Sequence, residues 1–442
     1  MNNRGEFSSR FGFILAAAGS AIGLGNIWGF PTQVASNGGA AFVLVYLLLA
    51  FVLAYPVLMA ELIVGRAMRA NIVTALGNIA PFGKIVGVWG TITAGLILSF
   101  YAIVAGWMIA YFLEIVSTLV GWSSVASWMI EFSVSRNLVF SGAFIAMTAL
   151  IVSGGVSKGI EKWSVRLMPT LLMIIVGLII YVSFQPGAMQ GWKAYLLPDF
   201  SRVLKPDLLI SAMGQAFFSM SLGVGTMLIY GSYISRNENL PVLGASVALM
   251  DIAVAILAGM LIIPAMYVAL NQGVEIFDAQ GALIAGDKLI FTVLPQLFDS
   301  MGQIGIVVAL AFFCLMVIAA LTSSISMLEV PVAYLVENKN QPRSRAVWLV
   351  AVSIFLFSSL ISFNFDDLFG FIVSLSTKYS QPLVGIIICV FVGWLWRRDA
   401  ILRELATNDA NIEQSVFWKI WPWYIKFVCP VIVGFMFVRS IL

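Results

Sequence analysis

The sequence predicts an all-α polytopic membrane protein of about eleven spans, arranged as two five-helix repeats of opposite topology plus one extra helix, with helices 1 and 6 broken. Three observations carry this: composition, the lengths of the apolar runs, and a pair of glycine-rich interruptions at matching places. Of 442 residues 61% are hydrophobic and only 10% charged, where a soluble domain is about a quarter charged. Water is not the main solvent of this chain.

Crossing about 30 Å of hydrocarbon takes roughly 20 apolar residues. Such runs follow one another at 11–34, 40–65, 86–113, 138–155, 167–185, 207–234, 242–271, 302–336, 346–363, 368–396 and 420–441. The polar start MNNRGEFSSR leads into a long first segment expected to stay as a membrane element rather than be removed as a leader. The organisation that follows is an amino-terminal segment over 1–10, a first repeat over 11–185, a second over 207–396 and a last helix within 417–442. Two polar loops, 187–205 and 272–300, are long enough for short helices.

Lys and Arg set the orientation. Arg4, Arg10, Arg66, Arg69, Lys158, Arg343 and Arg397 are among the many on one side, against Arg136, Lys193, Arg202, Lys205, Lys288 and Arg439 on the other. The amino terminus is therefore expected in the cytoplasm and the carboxyl terminus outside, in a multi-pass protein of the cell's inner (plasma) membrane.

Function is carried by where the helices break. Segment 1 contains Gly19-Ser20-Ala21-Ile22-Gly23-Leu24-Gly25-Asn26, and segment 6 contains Ser219-Met220-Ser221-Leu222-Gly223-Val224-Gly225. Either run alone is as readily explained by close helix packing. As a pair, five spans apart, they point to an inverted-repeat transporter with its site at the midplane, a relation for which LeuT is the standard example. Unwinding frees amides and carbonyls in a low-dielectric medium, at several kcal/mol each if left unpaired. Carbonyl, Ser, Thr and Asn oxygens suit a hard monovalent cation, and half-helix amino termini suit a carboxylate. An amino acid together with sodium meets both demands.

Other classes are excluded or disfavoured. The 24 basic and 21 acidic residues nearly cancel, so the footprint of a nucleic-acid binder is missing. Without histidine there is no imidazole catalysis or ligation. Cys314, Cys389 and Cys429 are far apart and lack metal or disulfide spacing. No catalytic constellation is visible, so the chain is not expected to be an enzyme. A channel would show a repeated filter loop. A sensor on the same fold would need an output region.

The strings GSAIGLGNIWGFP (19–31), NGG (37–39), Glu61 with Gly65-Arg66, Tyr101 with Trp107, SKGIEKW (157–163), GQAFFSMSLGVG (214–225) and ALTSSIS (320–326) carry a resemblance to the neurotransmitter:sodium symporters. It extends over nearly the whole chain and is strongest to the shorter bacterial amino-acid transporters with eleven spans. The resemblance implies the LeuT-like fold and a sodium-coupled symporter importing a small amino acid by alternating access, as a monomer or weak dimer in the bilayer.

It implies a first sodium site from the carbonyl of Ala21 and the side chains of Asn26, Ser219 and Asp251, completed by the substrate carboxylate. It implies a second from Gly19, Ile22, Ala319, Thr322 and Ser323. The substrate would meet Leu24, Gly25 and Tyr101 through its carboxylate and Ser20, Ala21, Phe218 and Ser219 near its amine. Its side chain would meet Ile97, Phe218, Ser221, Val224, Ser323 and Met327, an apolar set that favours a neutral hydrophobic amino acid. Some relatives need chloride to balance a neutral first site; here Asp251 supplies the charge and Ala255 takes a position used otherwise elsewhere, so chloride is not expected to be required.

The chain departs from the family at the outer gate, where an arginine and an aspartate are replaced by Gly29 and Gly370. Losing both together strands no charge. Closure is then expected from packing of Phe218 and Tyr101 or through Asp366 and Asp367. Lys378 lies about 12 Å deeper than Gly370 at 1.5 Å per residue, and is either a paired or snorkelling lysine, a replacement for the lost gate charge, or a ligand for part of the substrate, which would then be a non-standard amino acid, an acidic one or an amino sulfonate. On the inner side Arg4 and Glu337 occupy the positions of the family's latch, with Phe7 and Tyr233 beside them.

Overall fold

The computed structural model describes residues 5–277, 283, 284, 286 and 289–441. Ser9 opens the first helix by accepting the Gly12 amide at 2.9 Å, the side-chain cap that a helix start needs. Helix α1 (Arg10–Ala21) meets α2 (Gly25–Ser36) at a bend of 54°. Four further helices complete the first half: α3 (Ala40–Met68), α4 (Gly83–Leu119), α5 (Val134–Ser153) and α6 (Val156–Ser183). The second half opens on two short pieces, α7 (Pro206–Ser219) and α8 (Thr226–Gly231). It continues through α9 (Leu240–Asn271), α10 (Gly302–Asn338), α11 (Arg343–Phe363) and α12 (Phe365–Leu395), and α13 (Val416–Arg439) ends the chain.

Among the described residues nine helices are long and apolar enough to cross a membrane, ten when α1 and α2 count as one. The eleventh expected span is the one carried by α7 and α8. Its pieces hold 14 and 6 residues, and neither crosses alone. Both breaks therefore fall where the glycines predict, in spans 1 and 6.

Burial decides which helices are central. The most apolar stretch of α4 is 72% buried inside the protein, against 28% for α6 and α13. Helix α4 thus belongs to the core, while α6 and α13 present apolar side chains such as Met173, Val431 and Phe435 outward, as contact with lipid requires.

One boundary differs from the sequence reading. The fifth span begins at Val156 rather than near 167, because its charged start is helical and pairs with the amino-terminal segment. Glu161 accepts the Ser8 amide at 2.7 Å and the hydroxyls of Ser8 and Ser9 at 2.8 and 2.9 Å. The two polar loops do hold short helices, Ala188–Leu196 and Leu289–Ser300.

At the same face a fully buried arginine joins three parts of the chain. Arg66, at the end of α3, donates to Glu404 Oε1 at 2.7 Å, to the Glu404 carbonyl at 2.9 Å and to the Glu238 carbonyl at 2.6 Å. Its fork satisfies acceptors on the helix Arg398–Ala406 and on the loop before α9. Replacing Arg66 with Ala leaves Glu404 largely buried without its partner, a loss of about 3 kcal/mol. A lowered Tm in detergent is expected for Arg66→Ala, with little recovery in Arg66→Lys, whose single ammonium cannot reach the three acceptors.

Candidate functional site

The two breaks face each other. After Ala21 the chain turns extended at Ile22, with φ −74° and ψ 97°, and re-enters helix at Gly25. In the second break Ser221, Gly223 and Gly225 all have positive φ, 51°, 76° and 79°. That left-handed conformation is easy for glycine and uncommon for serine. Gly223 is required twice over, since a Cβ there would lie 2.2 Å from the Gln381 carbonyl oxygen.

The first predicted ion site is assembled from four spans. The Asn26 amide donates to Asp251 Oδ1 at 2.7 Å, to Ser219 Oγ at 3.0 Å and to the Asp251 carbonyl at 3.2 Å. Ser219 donates to Asp251 Oδ2 at 2.8 Å, and the Tyr46 hydroxyl lies 3.3 Å from Ser219 Oγ. All four side chains are buried, Asp251 completely. Among the described residues no ion pair involves Asp251, and no three His, Cys, Asp or Glu side chains converge. The donor set is one carboxylate with neutral oxygens, which fits a hard monovalent cation better than a transition metal.

The second predicted site is also brought together, between the end of α1 and α10. Thr322 Oγ1 donates to the carbonyls of Ala319 at 3.0 Å and Ile22 at 3.4 Å. Ser323 Oγ donates to those of Gly19 at 3.3 Å and Ser20 at 3.1 Å. Gly19, Ile22, Ala319, Thr322 and Ser323 thus form one cluster of oxygens.

Between the clusters lies a narrow cavity lined by Ala21, Gly23, Leu24, Gly25, Ile97, Tyr101, Phe218, Ser221, Val224, Ser323, Met327 and Gln381. The Tyr101 hydroxyl accepts the Leu24 amide at 3.3 Å. Ser20 and Ser219 are not among the lining residues. Ser20 supplies a carbonyl to Ser221 and Ser323 while its hydroxyl donates to Ser326, and Ser219 turns to Asp251. The sequence reading missed Gln381, whose signal was a lone carboxamide before Pro382 in an apolar run.

Lys378, predicted as a possible ligand, is exposed on α12 and does not line the cavity. Gly29 lies near the Gln215 amide, and a side chain at Gly370 would meet nothing within 4 Å. The expected means of closure are not the ones seen. Asp366 and Asp367 are exposed and enter no ion pair among the described residues. Phe218 and Tyr101 line the cavity without a ring contact between them, Tyr101 meeting Phe144 instead.

An aromatic layer covers that end of the molecule. Trp107 stacks on Phe369 at 6.1 Å and 28°, and Phe369 on Phe365 at 4.6 Å. Phe291 meets the edges of both Trp107 and Trp28, and Phe132 closes on Phe365 at 4.8 Å. Rings from five separate parts of the chain replace a charge pair, which apolar packing permits and desolvation favours.

At the amino-terminal face Phe7 packs edge-on against Phe13, Tyr230 and Tyr233. Arg4 lies outside the described residues, so its pairing with Glu337 is not observed; Glu337 accepts the backbone and side-chain amides of Asn71, both at 2.8 Å. A second latch went unnoticed in the sequence. Arg343 pairs with buried Glu329 at 2.5 Å, and the Tyr233 hydroxyl donates to the same carboxylate at 2.6 Å.

Comparison with known proteins places these features in a family. A model described as the sodium:neurotransmitter symporter family matches residues 4–139 and 135–442. The chain is 34% identical to an uncharacterized sodium-dependent transporter of Bacillus subtilis, over 99% of this chain and 97% of that one. It is 25% identical to the sodium- and chloride-dependent GABA transporter 2 of Rattus norvegicus, over 95% of this chain and 76% of that one. In structure it is similar to MhsT in complex with L-phenylalanine, with a TM-score of 0.86, 35% identity, and coverage of 99% and 100% of the two chains.

Replacing Trp107 with Ala removes the ring shared by Phe291, Phe365 and Phe369, each contact being worth about 1 kcal/mol. Hydrogen–deuterium exchange over 289–300 and 365–373 is expected to rise about tenfold. Because no ion pair holds the layer among the described residues, exchange in the unmodified protein is expected to be insensitive to salt; a marked salt effect would contradict an aromatic closure.

Proposed function

Because the chain belongs to the sodium:neurotransmitter symporter family, we propose that it imports a neutral hydrophobic amino acid by alternating access, driven by two sodium ions and without chloride. It is a membrane transporter that depends on sodium, not an enzyme. The observation that carries the finer reading is a buried carboxylate, Asp251, which enters no ion pair among the described residues and is held to the first break by Asn26, while residues of the same break line a small apolar cavity.

Asp251 buried without a cationic partner is expensive in a membrane and is a functional candidate by default. A sodium ion among Asp251, Ser219, Asn26 and the Ala21 carbonyl relieves that cost. Turning the Asn26 amide about its own axis would present its oxygen in place of the N–H now donated to Asp251. A substrate carboxylate near the Leu24 and Gly25 amides then adds a ligand to the same ion, so that each binds better with the other present. The second ion, at the Thr322 and Ser323 cluster, ties α1 to α10.

Ile97, Phe218, Val224 and Met327 give the cavity its apolar wall, and MhsT, a relative of similar structure, was solved with L-phenylalanine. Lys378, on which the reading of an amino sulfonate or acidic substrate leaned, is exposed and is not among the lining residues, so the cavity offers such a substrate no cationic side chain among the described residues. The Lys and Arg distribution puts the amino-terminal face in the cytoplasm, where the Tyr233, Glu329 and Arg343 latch would open for release. The aromatic layer would part for entry. At 100 mV each sodium charge supplies about 2.3 kcal/mol to uptake.

Uptake of labelled phenylalanine or leucine into proteoliposomes should require an inward sodium gradient and persist when gluconate replaces chloride. Asp251→Asn should reduce sodium-driven uptake about a hundredfold by removing the charged side chain of the first ion cluster. Chloride-stimulated uptake, or a variant as active as the parent, would contradict the assignment of Asp251.

A further inference from the structure

Gln381 is buried to 2% exposure on α12 and reaches the second break across the cavity. Its amide Nε2 donates to the Leu222 carbonyl at 2.8 Å. A carbonyl only accepts, so the NH2 must face Leu222 and the orientation of the carboxamide is settled by chemistry. Its Oε1 is buried and has no hydrogen-bond partner among the described residues.

The neighbouring donors are already committed. Ser221 Oγ and Ser323 Oγ both donate to the Ser20 carbonyl at 3.1 Å, and Thr226 Oγ1 donates to the Ser221 carbonyl at 3.0 Å. Apart from Tyr101, whose hydroxyl is turned to the Leu24 amide at 3.3 Å, the larger side chains that remain on the wall are apolar: Ile97, Phe218, Val224 and Met327. The backbone gives no room for Gln381 to retreat, because α12 already presses its carbonyl against Gly223.

We propose that Gln381 is a specificity-determining residue whose free carboxamide oxygen selects substrates with an apolar aromatic body and one hydrogen-bond donor, the indole N–H of tryptophan or the phenol O–H of tyrosine. This rests on the reading of the cavity as an amino-acid site and names the class of side chain it prefers. An unpaired buried acceptor is costly, and a site built around one discriminates against analogues that leave it unpaired. Leucine, valine and phenylalanine leave it unpaired.

The test is calorimetric titration of the full-length protein in sodium with matched pairs, tryptophan against 1-methyltryptophan and tyrosine against O-methyltyrosine, with phenylalanine as reference. Methylation is expected to weaken binding about tenfold in one of the two pairs, and which pair responds identifies the donor. Gln381→Leu, similar in size but without the acceptor, should abolish that difference, so that the two members of each pair bind alike in sodium. Gln381→Glu, whose protonated carboxyl can donate to the Leu222 carbonyl and keep its other oxygen as the acceptor, should preserve it. Equal binding within both pairs overturns the proposal while leaving the amino-acid site standing, as does a difference that survives in Gln381→Leu and so reflects only the bulk of the methyl group. If no amino acid binds in sodium, the site reading fails and the role of Gln381 falls with it.

Discussion

A helix broken inside a bilayer must find partners for the amides and carbonyls it releases, because no water is at hand to take them. Most of the polar residues in the middle of this protein answer that demand. Glu61 Oε1 accepts the Gly223 amide at 2.7 Å, Gln381 donates to the Leu222 carbonyl, and Gln215 donates to the Gly25 carbonyl at 2.8 Å. Tyr101, Ser221, Thr322 and Ser323 serve the first break in the same way. These side chains come from spans distant in sequence, so the breaks also fix how the helices come together.

What is left after that accounting is informative. Asp251 has hydroxyl and amide donors around it yet no counter-charge among the described residues, and the Thr322 and Ser323 hydroxyls sit among more carbonyl oxygens than they have protons to offer. Both are rich in oxygens and hold no cationic side chain among the described residues, the electrostatic condition for a cation. The two ends of the molecule are closed by different means. Aromatic rings cover one, and hydrogen-bonded charges with an aromatic anchor cover the other. A conformational cycle that opens them alternately would break packing at one end and ion pairs at the other.

The spans were legible because about twenty apolar residues leave a continuous signal, and the breaks because glycine marks left-handed backbone. Asp251 was legible because a carboxylate is costly within an apolar run. Contacts between distant side chains were not. Arg343 counted only as one of the orienting charges and nothing in the sequence joined it to Glu329, nor did anything join Trp107 to Phe291, Phe365 and Phe369. Only folding brings either group together. Lys378 misled because sequence gives depth in the membrane without the direction in which a side chain points, and it points outward. Gln381 was overlooked for the converse reason, since a single amide becomes significant only when its oxygen is found without a partner.

The central claim is that ion and substrate bind at the breaks as mutual ligands. The most direct measurement is the affinity of purified protein for its amino acid as sodium is varied in potassium-balanced buffer. Two coupled ions predict that log Kd falls with log sodium at a slope of about two at low sodium, and that substrate tightens sodium binding in the same proportion. An affinity independent of sodium would contradict the account.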